Sequence, residues 1–181
     1  MSNGKKISIT SIVCIVCAAL LLVSLFLPYA SMKHDLAKET LAEPKVEMEK
    51  GITNHDLVRI SIVRFTRILN LSKFEDKTFN IVLVVVYAAF AALMLLFSAI
   101  KKPAGIIVFD IFFIGVAMLY HFDFASRNLM QSGSYRWGMA HFLIYILAAL
   151  LFVGAIVMIV FKKQEKKELM EKRILASAQG L

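Results

Sequence analysis

The sequence predicts an all-α membrane protein: a bundle of four transmembrane helices, with a long extracytoplasmic loop between the first and second that contains an amphipathic helix. Two observations lead there. Ile81 to Ile100 runs without a charge, and Ala104 to Tyr120 carries only Asp110, with Lys101-Lys102-Pro103 between them. Each run approaches the ~20 apolar residues that cross a hydrocarbon layer at 1.5 Å per helical residue. A three-residue link is too short for a folded domain, so the two runs form a hairpin. The second observation is composition. Hydrophobic residues make up 59% of 181 and mean hydropathy is +0.72, above the roughly 45–50% apolar content of soluble domains.

The formal net charge of +8 does not point to nucleic acid. The basic residues flank apolar blocks, and no zinc-finger, RNA-recognition or basic-helix pattern accompanies them. So placed, they anchor span ends and meet anionic lipid headgroups.

In chain order, residues 1–6 form a short tail carrying Lys5 and Lys6, and residues 7–30 form the first span. That apolar segment exceeds the core of a signal peptide, and Pro28-Tyr29-Ala30-Ser31 is no A-x-A cleavage site, so the span is expected to be retained. Val13 and Val16 precede the cysteines where lipoprotein processing needs a small residue. Cys14 and Cys17 lie one turn apart on one helix face with no cationic neighbour to favour a thiolate. They are read as packing residues.

Residues 31–78 form the loop. Within it, wound as a helix, the stretch from His55 to Ser72 places Leu57, Val58, Ile62, Phe65, Ile68 and Leu69 on one face, and Arg59, Thr66, Arg67 and Asn70 on the other. A basic amphipathic helix beside spans suits the interface plane or a partner, which makes Leu57, Phe65, Ile68 and Leu69 partner-binding candidates. The rival is β-structure, because VRISIVRF is β-branched with rough period two. Asn70-Leu71-Ser72 also matches a short glycosylation sequon.

The second span is expected over 79–100, a turn at 101–103, the third span over 104–120, and an outer loop over 121–136. The fourth span, 137–161, opens with Trp137 just after Tyr135, aromatics suited to an interface. Residues 162–181 mix Lys and Glu as a solvated extension of that helix would.

Basic pairs abut the spans on one side only: Lys5 and Lys6, Lys101 and Lys102, Lys162 and Lys163. The loop 31–78 carries nine Lys or Arg against eight Asp or Glu, and a long balanced loop can be translocated. Both termini are therefore expected in the cytoplasm of a cell carrying this protein in its plasma membrane, with the long loop outside.

Asp110 most demands a reason. A carboxylate at a span centre costs roughly 2.5–3.5 kcal/mol on insertion scales and usually faces the bundle or water. Lys101 or Lys102 could snorkel towards it, and Tyr87 or Ser98 could donate to it. The alternative is an ion or proton path, although a single acid without a repeat is thin support for a transporter. Small residues suggest where spans meet: Ala88, Ala92 and Ala99, then Gly115, Ala148 and Gly154.

Three of the four histidines have an aspartate within two residues: His34-Asp35, His55-Asp56 and His121-Phe122-Asp123. With His141 they suggest a metal or pH-sensing site built from His55, His121, Asp123 and His141, although no local H-x-x-x-H spacing assembles it. No nucleotide loop, nucleophile elbow or H-E-x-x-H occurs, and no histidine sits at the depth of Ser24 or Ser98 to activate them. An enzyme is not expected, nor is a cofactor.

SLFLPYAS at the end of the first span and YRWGMAHFLIYI opening the fourth resemble uncharacterised four-span membrane proteins of Gram-positive bacteria. The architecture resembles tetraspan proteins with a large first outer loop, without the loop Trp and paired Cys of claudins. The resemblance implies no activity. The functional expectation is a non-enzymatic accessory or partner-binding subunit of a membrane complex, with the lipid bilayer and another membrane protein or a second copy as partners. The alternative is a small ion or proton channel or carrier that uses Asp110.

Overall fold

The computed structural model describes residues 3–49, 51–71, 77–126, 130 and 133–179. Four helices are long and apolar enough to cross a membrane: α1 (Asn3–Ser24), α4 (Lys77–Ala99), α5 (Pro103–Ser126) and α6 (Met139–Gln179). Between α1 and α4 come β1 (Pro28–Met32), α2 (His34–Ala42), β2 (Glu47–Glu49), β3 (Ile52–Thr53), a 3-10 turn (Asn54–Leu57), β4 (Arg59–Ser61) and α3 (Ile62–Leu71). Strand β5 (Tyr135–Trp137) precedes α6.

Each long helix packs on two others, α1 on α4 and α6, and α5 on the same pair, so the four close a ring. Inward stripes follow helical spacing. Helix α4 turns Leu83, Tyr87, Ala91, Met94 and Ser98 inward, and α5 turns Ile106, Asp110, Phe113, Ala117 and Tyr120. The outward faces are apolar too, with Val85, Ile111, Phe112, Ile146 and Val153 exposed. A helix apolar all round belongs in a lipid-like surrounding. Ala92 and Ala99 are exposed and Ala88 only half-buried. The alanine stripe expected at a helix contact therefore looks outward, and the inward row one position earlier is Tyr87, Ala91 and Ser98.

Polar ties join α1 to α4. Ser11 donates to the Ser98 carbonyl at 2.6 Å, and the hydroxyls of Ser24 and Tyr87 meet at 2.7 Å. Such interhelical bonds are worth about 0.6 kcal/mol each in a bilayer. The hairpin turn is a Schellman cap. Lys102 N–H donates to Phe97 O and Lys101 N–H to Ser98 O, with Lys101 at φ 55°; Pro103 then opens α5.

The span boundaries differ from the sequence expectation. The first span, expected through residue 30, stops as helix at Ser24, because Pro28 disfavours helix in the residue before it and begins a strand that needs no N–H at its first position. The helix that holds the expected third span runs on to Ser126, six residues past the expected limit, and the helix of the expected fourth begins at Met139 and continues unbroken through the charged tail.

At the end of the bundle opposite the termini, both loops contribute to one antiparallel sheet of order β4-β1-β5. Ile60 and Trp137 both pair with Ala30, and Arg59 and Arg136 both pair with Ser31. The register of β1 against β4 shifts between Pro28 and Ala30. This bulge leaves Tyr29 as the extra residue and turns its ring into the core, where it is 1% exposed.

Of the stretch from His55 to Ser72, expected as one amphipathic helix, Ser72 lies outside the described residues, and the rest divides into three: the 3-10 turn, β4 and α3. The reason is local and non-local together. Ile60 pairs in the sheet, and the Ser61 hydroxyl then accepts the Arg64 N–H, which caps α3 at its first turn. Each rival reading describes a different piece of the stretch.

Candidate functional site

The sheet has two faces with opposite chemistry. Its inner row, Ile60–Ala30–Trp137, lies on the ring of helices, with Ala30 and Ile60 buried. Its outer row is Arg59–Ser31–Arg136. Directly paired residues project from the same face, so the two guanidinium-bearing side chains flank the Ser31 hydroxyl across β1. Met32 N–H bonds Val58 O at 2.9 Å and Lys33 N–H bonds Ser134 O at 2.9 Å, and these bonds launch α2 back over this face.

The result is a cleft of about 930 Å³. Its cationic lining is Arg59, Arg64, Arg136 and Lys38, with His34 and His55 beside them, and its apolar lining includes Met32, Leu41, Trp137 and Met139. Among the described residues, no Asp or Glu lines it. Asp56, next to the cleft-lining His55, is already engaged. It accepts from Thr53 N at 2.9 Å and Thr53 Oγ1 at 2.8 Å and pairs with Arg64 at 3.3 Å. The Thr53 amide, then the Thr53 hydroxyl and the Arg64 charge, hold its carboxyl below the usual carboxylate range. That ion pair is the only one among the described residues that involves the cleft, so Arg59, Arg136 and Lys38 carry no carboxylate partner among them.

Beneath the sheet is an aromatic cluster. The His121 and Trp137 rings stack at 4.6 Å, Trp137 and His141 at 4.2 Å, and the two histidines lie 5.2 Å apart. Tyr29 Oη shares a hydrogen bond with His141 Nδ1 at 3.2 Å, and burial pushes the Tyr29 phenol far above its ordinary value. His121 Nδ1 is buried with no hydrogen-bond partner among the described residues. Thus His121 and His141, separated by the loop in sequence, do come together. His55 instead lines the cleft, with Nε2 against Glu43 O at 3.1 Å. Among the described residues no three His, Cys, Asp or Glu side chains converge as metal ligands, Asp123 included.

The expected partner-binding residues are placed differently. Phe65 and Leu69 are each 4% exposed, and the Phe65 ring lies 4.0 Å from that of Phe124 on α5. Their apolar face is covered by the protein's own helices, since α3 packs against α4. Ile68 and Leu57 are half-buried, and Leu57 O accepts from Tyr135 Oη at 3.0 Å.

Asp110 sits fully buried, and neither carboxylate oxygen has a hydrogen-bond partner among the described residues. The donors expected for it are used otherwise. Tyr87 Oη meets Ser24, Ser98 Oγ bonds Met94 O at 2.7 Å, and Lys101 Nζ bonds Ser8 Oγ at 3.0 Å. Lys6 lies over the Phe161 ring, and Lys162 reaches Lys101 O. These lysines, with Lys5, Lys102 and Lys163, sit at the terminal end of the bundle.

Sequence reading assigned Arg59 to the polar side of a helix and gave Arg136 only a loop position. Nothing local links them. Their alignment is produced by two strand pairings that meet on β1. The chain matches no protein-family model, no curated protein and no solved structure.

Proposed function

We propose that this is a non-enzymatic integral membrane protein of the plasma membrane, an accessory or partner-binding subunit whose recognition element is the sheet-borne basic cleft. In this reading both termini are cytoplasmic and the sheet is extracytoplasmic, as the lysine pairs at Lys5, Lys101 and Lys162 favour. The observation that carries it is the sheet itself. Two loops far apart in sequence pair on β1 and fix a charged cleft rigidly to the helix ring, which is how a recognition surface is pre-organised.

The test is native mass spectrometry of the protein gently extracted from its host, with cysteine-accessibility labelling of Ser31→Cys and Ser177→Cys in intact cells. A defined heterocomplex together with outside labelling at position 31 supports the reading. A lone monomer, or labelling at 177 only, overturns it.

One observation favours a second reading. A buried carboxylate without a partner at Asp110 suits a small ion or proton channel or carrier. Flux into liposomes that Asp110→Asn abolishes would establish it.

A further inference from the structure

We infer that the basic cleft binds the phosphate-ester headgroup of an anionic lipid, clamped between Arg59 and Arg136 across Ser31. The inference rests on the reading of the cleft as the recognition surface and adds the chemistry recognised.

Three features of the cleft converge on that chemistry. The first is charge. Arg59 and Arg136 occupy one row of the sheet, each opposite Ser31. Their Cα atoms are thus two strand spacings apart, about 10 Å, a gap that extended arginine side chains close over one anion. Like charges on one row repel unless something negative stands between them, and among the described residues no carboxylate lines the cleft. Planar guanidinium groups match phosphate oxygens two at a time, and the Ser31 hydroxyl and the Lys38 ammonium on α2 add donors at the centre and the roof.

The second feature is the division of the wall. Met32, Leu41, Trp137 and Met139 make one part of the lining apolar. Trp137 and Met139 stand at the mouth of α6, a helix apolar enough to cross a membrane. Met139 is 62% exposed and Phe26, at the end of α1, 70% exposed. The apolar wall therefore continues into the apolar belt of the ring. A ligand charged at one end and apolar at the other fits that gradient, and an acidic peptide does not need it. The third is size. A cleft of about 930 Å³ exceeds what a bare phosphate fills and accommodates a phosphoglycerol group.

The experiment uses the full chain in phosphatidylcholine nanodiscs with increasing phosphatidylglycerol, read by native mass spectrometry of the lipid retained on release. Retention of phosphatidylglycerol over phosphatidylcholine is expected, falling about tenfold or more in Arg59→Gln/Arg136→Gln. Lys172→Gln/Arg173→Gln, exposed on the far end of α6 beyond the span-end lysine pairs, should retain lipid as the wild type does. Lys38→Gln, on exposed α2, gives a milder loss and covers the case in which the double variant fails to fold, which thermal unfolding reveals. Displacement by glycerol phosphate but not by added lipid would keep the phosphate chemistry and assign a soluble source. Equal retention in wild type and arginine variants overturns the inference, as does preference for a glutamate-rich peptide. A heterocomplex captured intact from the host with no selective lipid retention would overturn the inference alone; loss of both would remove the subunit reading as well.

Discussion

Gly154 on α6 and Cys14 on α1 approach so closely that a Cβ added to the glycine would lie 2.7 Å from the cysteine sulfur. The contact belongs to the α1–α6 seam, which joins the first and last spans and closes the ring. Gly154→Ala is expected to destabilise the bundle by about 1–3 kcal/mol through overpacking. Cys14→Ala should restore most of that loss, because it removes the atom in the way. Thermal unfolding of the two single variants and the double variant measures the coupling. Additive effects would mean that the two residues do not meet.

Gly138 is the stricter case. Its N–H donates to Tyr29 O at 2.8 Å, and an added Cβ would overlap the Pro28 carbonyl. The obstruction is backbone, so no side-chain truncation relieves it. Gly138→Ala should lower stability and abolish protection of the sheet amides in hydrogen exchange, while the central turns of α4 and α5 stay protected.

Asp56 makes the loop acid-sensitive. Its carboxyl is held below the usual range, chiefly by the Thr53 amide. A depressed native value means that the contribution is complete above the unfolded carboxylate pKa and is lost as pH falls through the lower, native one. The wild type should therefore lose stability below about pH 4 more steeply than Asp56→Asn does. Parallel pH profiles of melting temperature would refute this.

Asp110 should respond to removal of its polar atoms. Both oxygens lack partners among the described residues, and an unsatisfied buried polar group costs about 1–3 kcal/mol. Asp110→Leu, which keeps the heavy-atom branching and removes the polar atoms, is expected to raise the unfolding temperature. A large loss of stability instead would show that the carboxylate holds a bound ion or water that supports the ring.

The helix ring was legible in the sequence because its signal is additive. Twenty apolar residues in a row outweigh any local preference, and the Lys101-Lys102-Pro103 stop is equally local. The sheet was not legible, because its strands are three to five residues long and are defined by partners elsewhere in the chain. Pro28 to Met32 looked like the tail of a span, and Tyr135 to Trp137 like an aromatic anchor. Only their pairing makes them strands. His121 stands out by its spacing to Asp123, and His141 is grouped with it without such a neighbour; the two do meet, both stacked on Trp137, a contact that no local spacing announces. One signal for the division of the 55–72 stretch was present: Ser61 stands before an apolar run as a helix-capping residue does, and it marks where α3 begins.

The length of α6 carries a mechanical consequence. Its 41 residues form one unbroken rod of about 62 Å. At one end the Gly138 amide ties its entry to the sheet, and near the other Asn3 donates to Glu168 at 2.6 Å. A rod of this kind pivots as a whole. A tilt imposed where Trp137 borders the cleft would swing the charged far end, beyond Phe161, through an arc on the opposite side of the ring. One continuous helix thus joins the residues that border the cleft to the charged segment beyond Phe161.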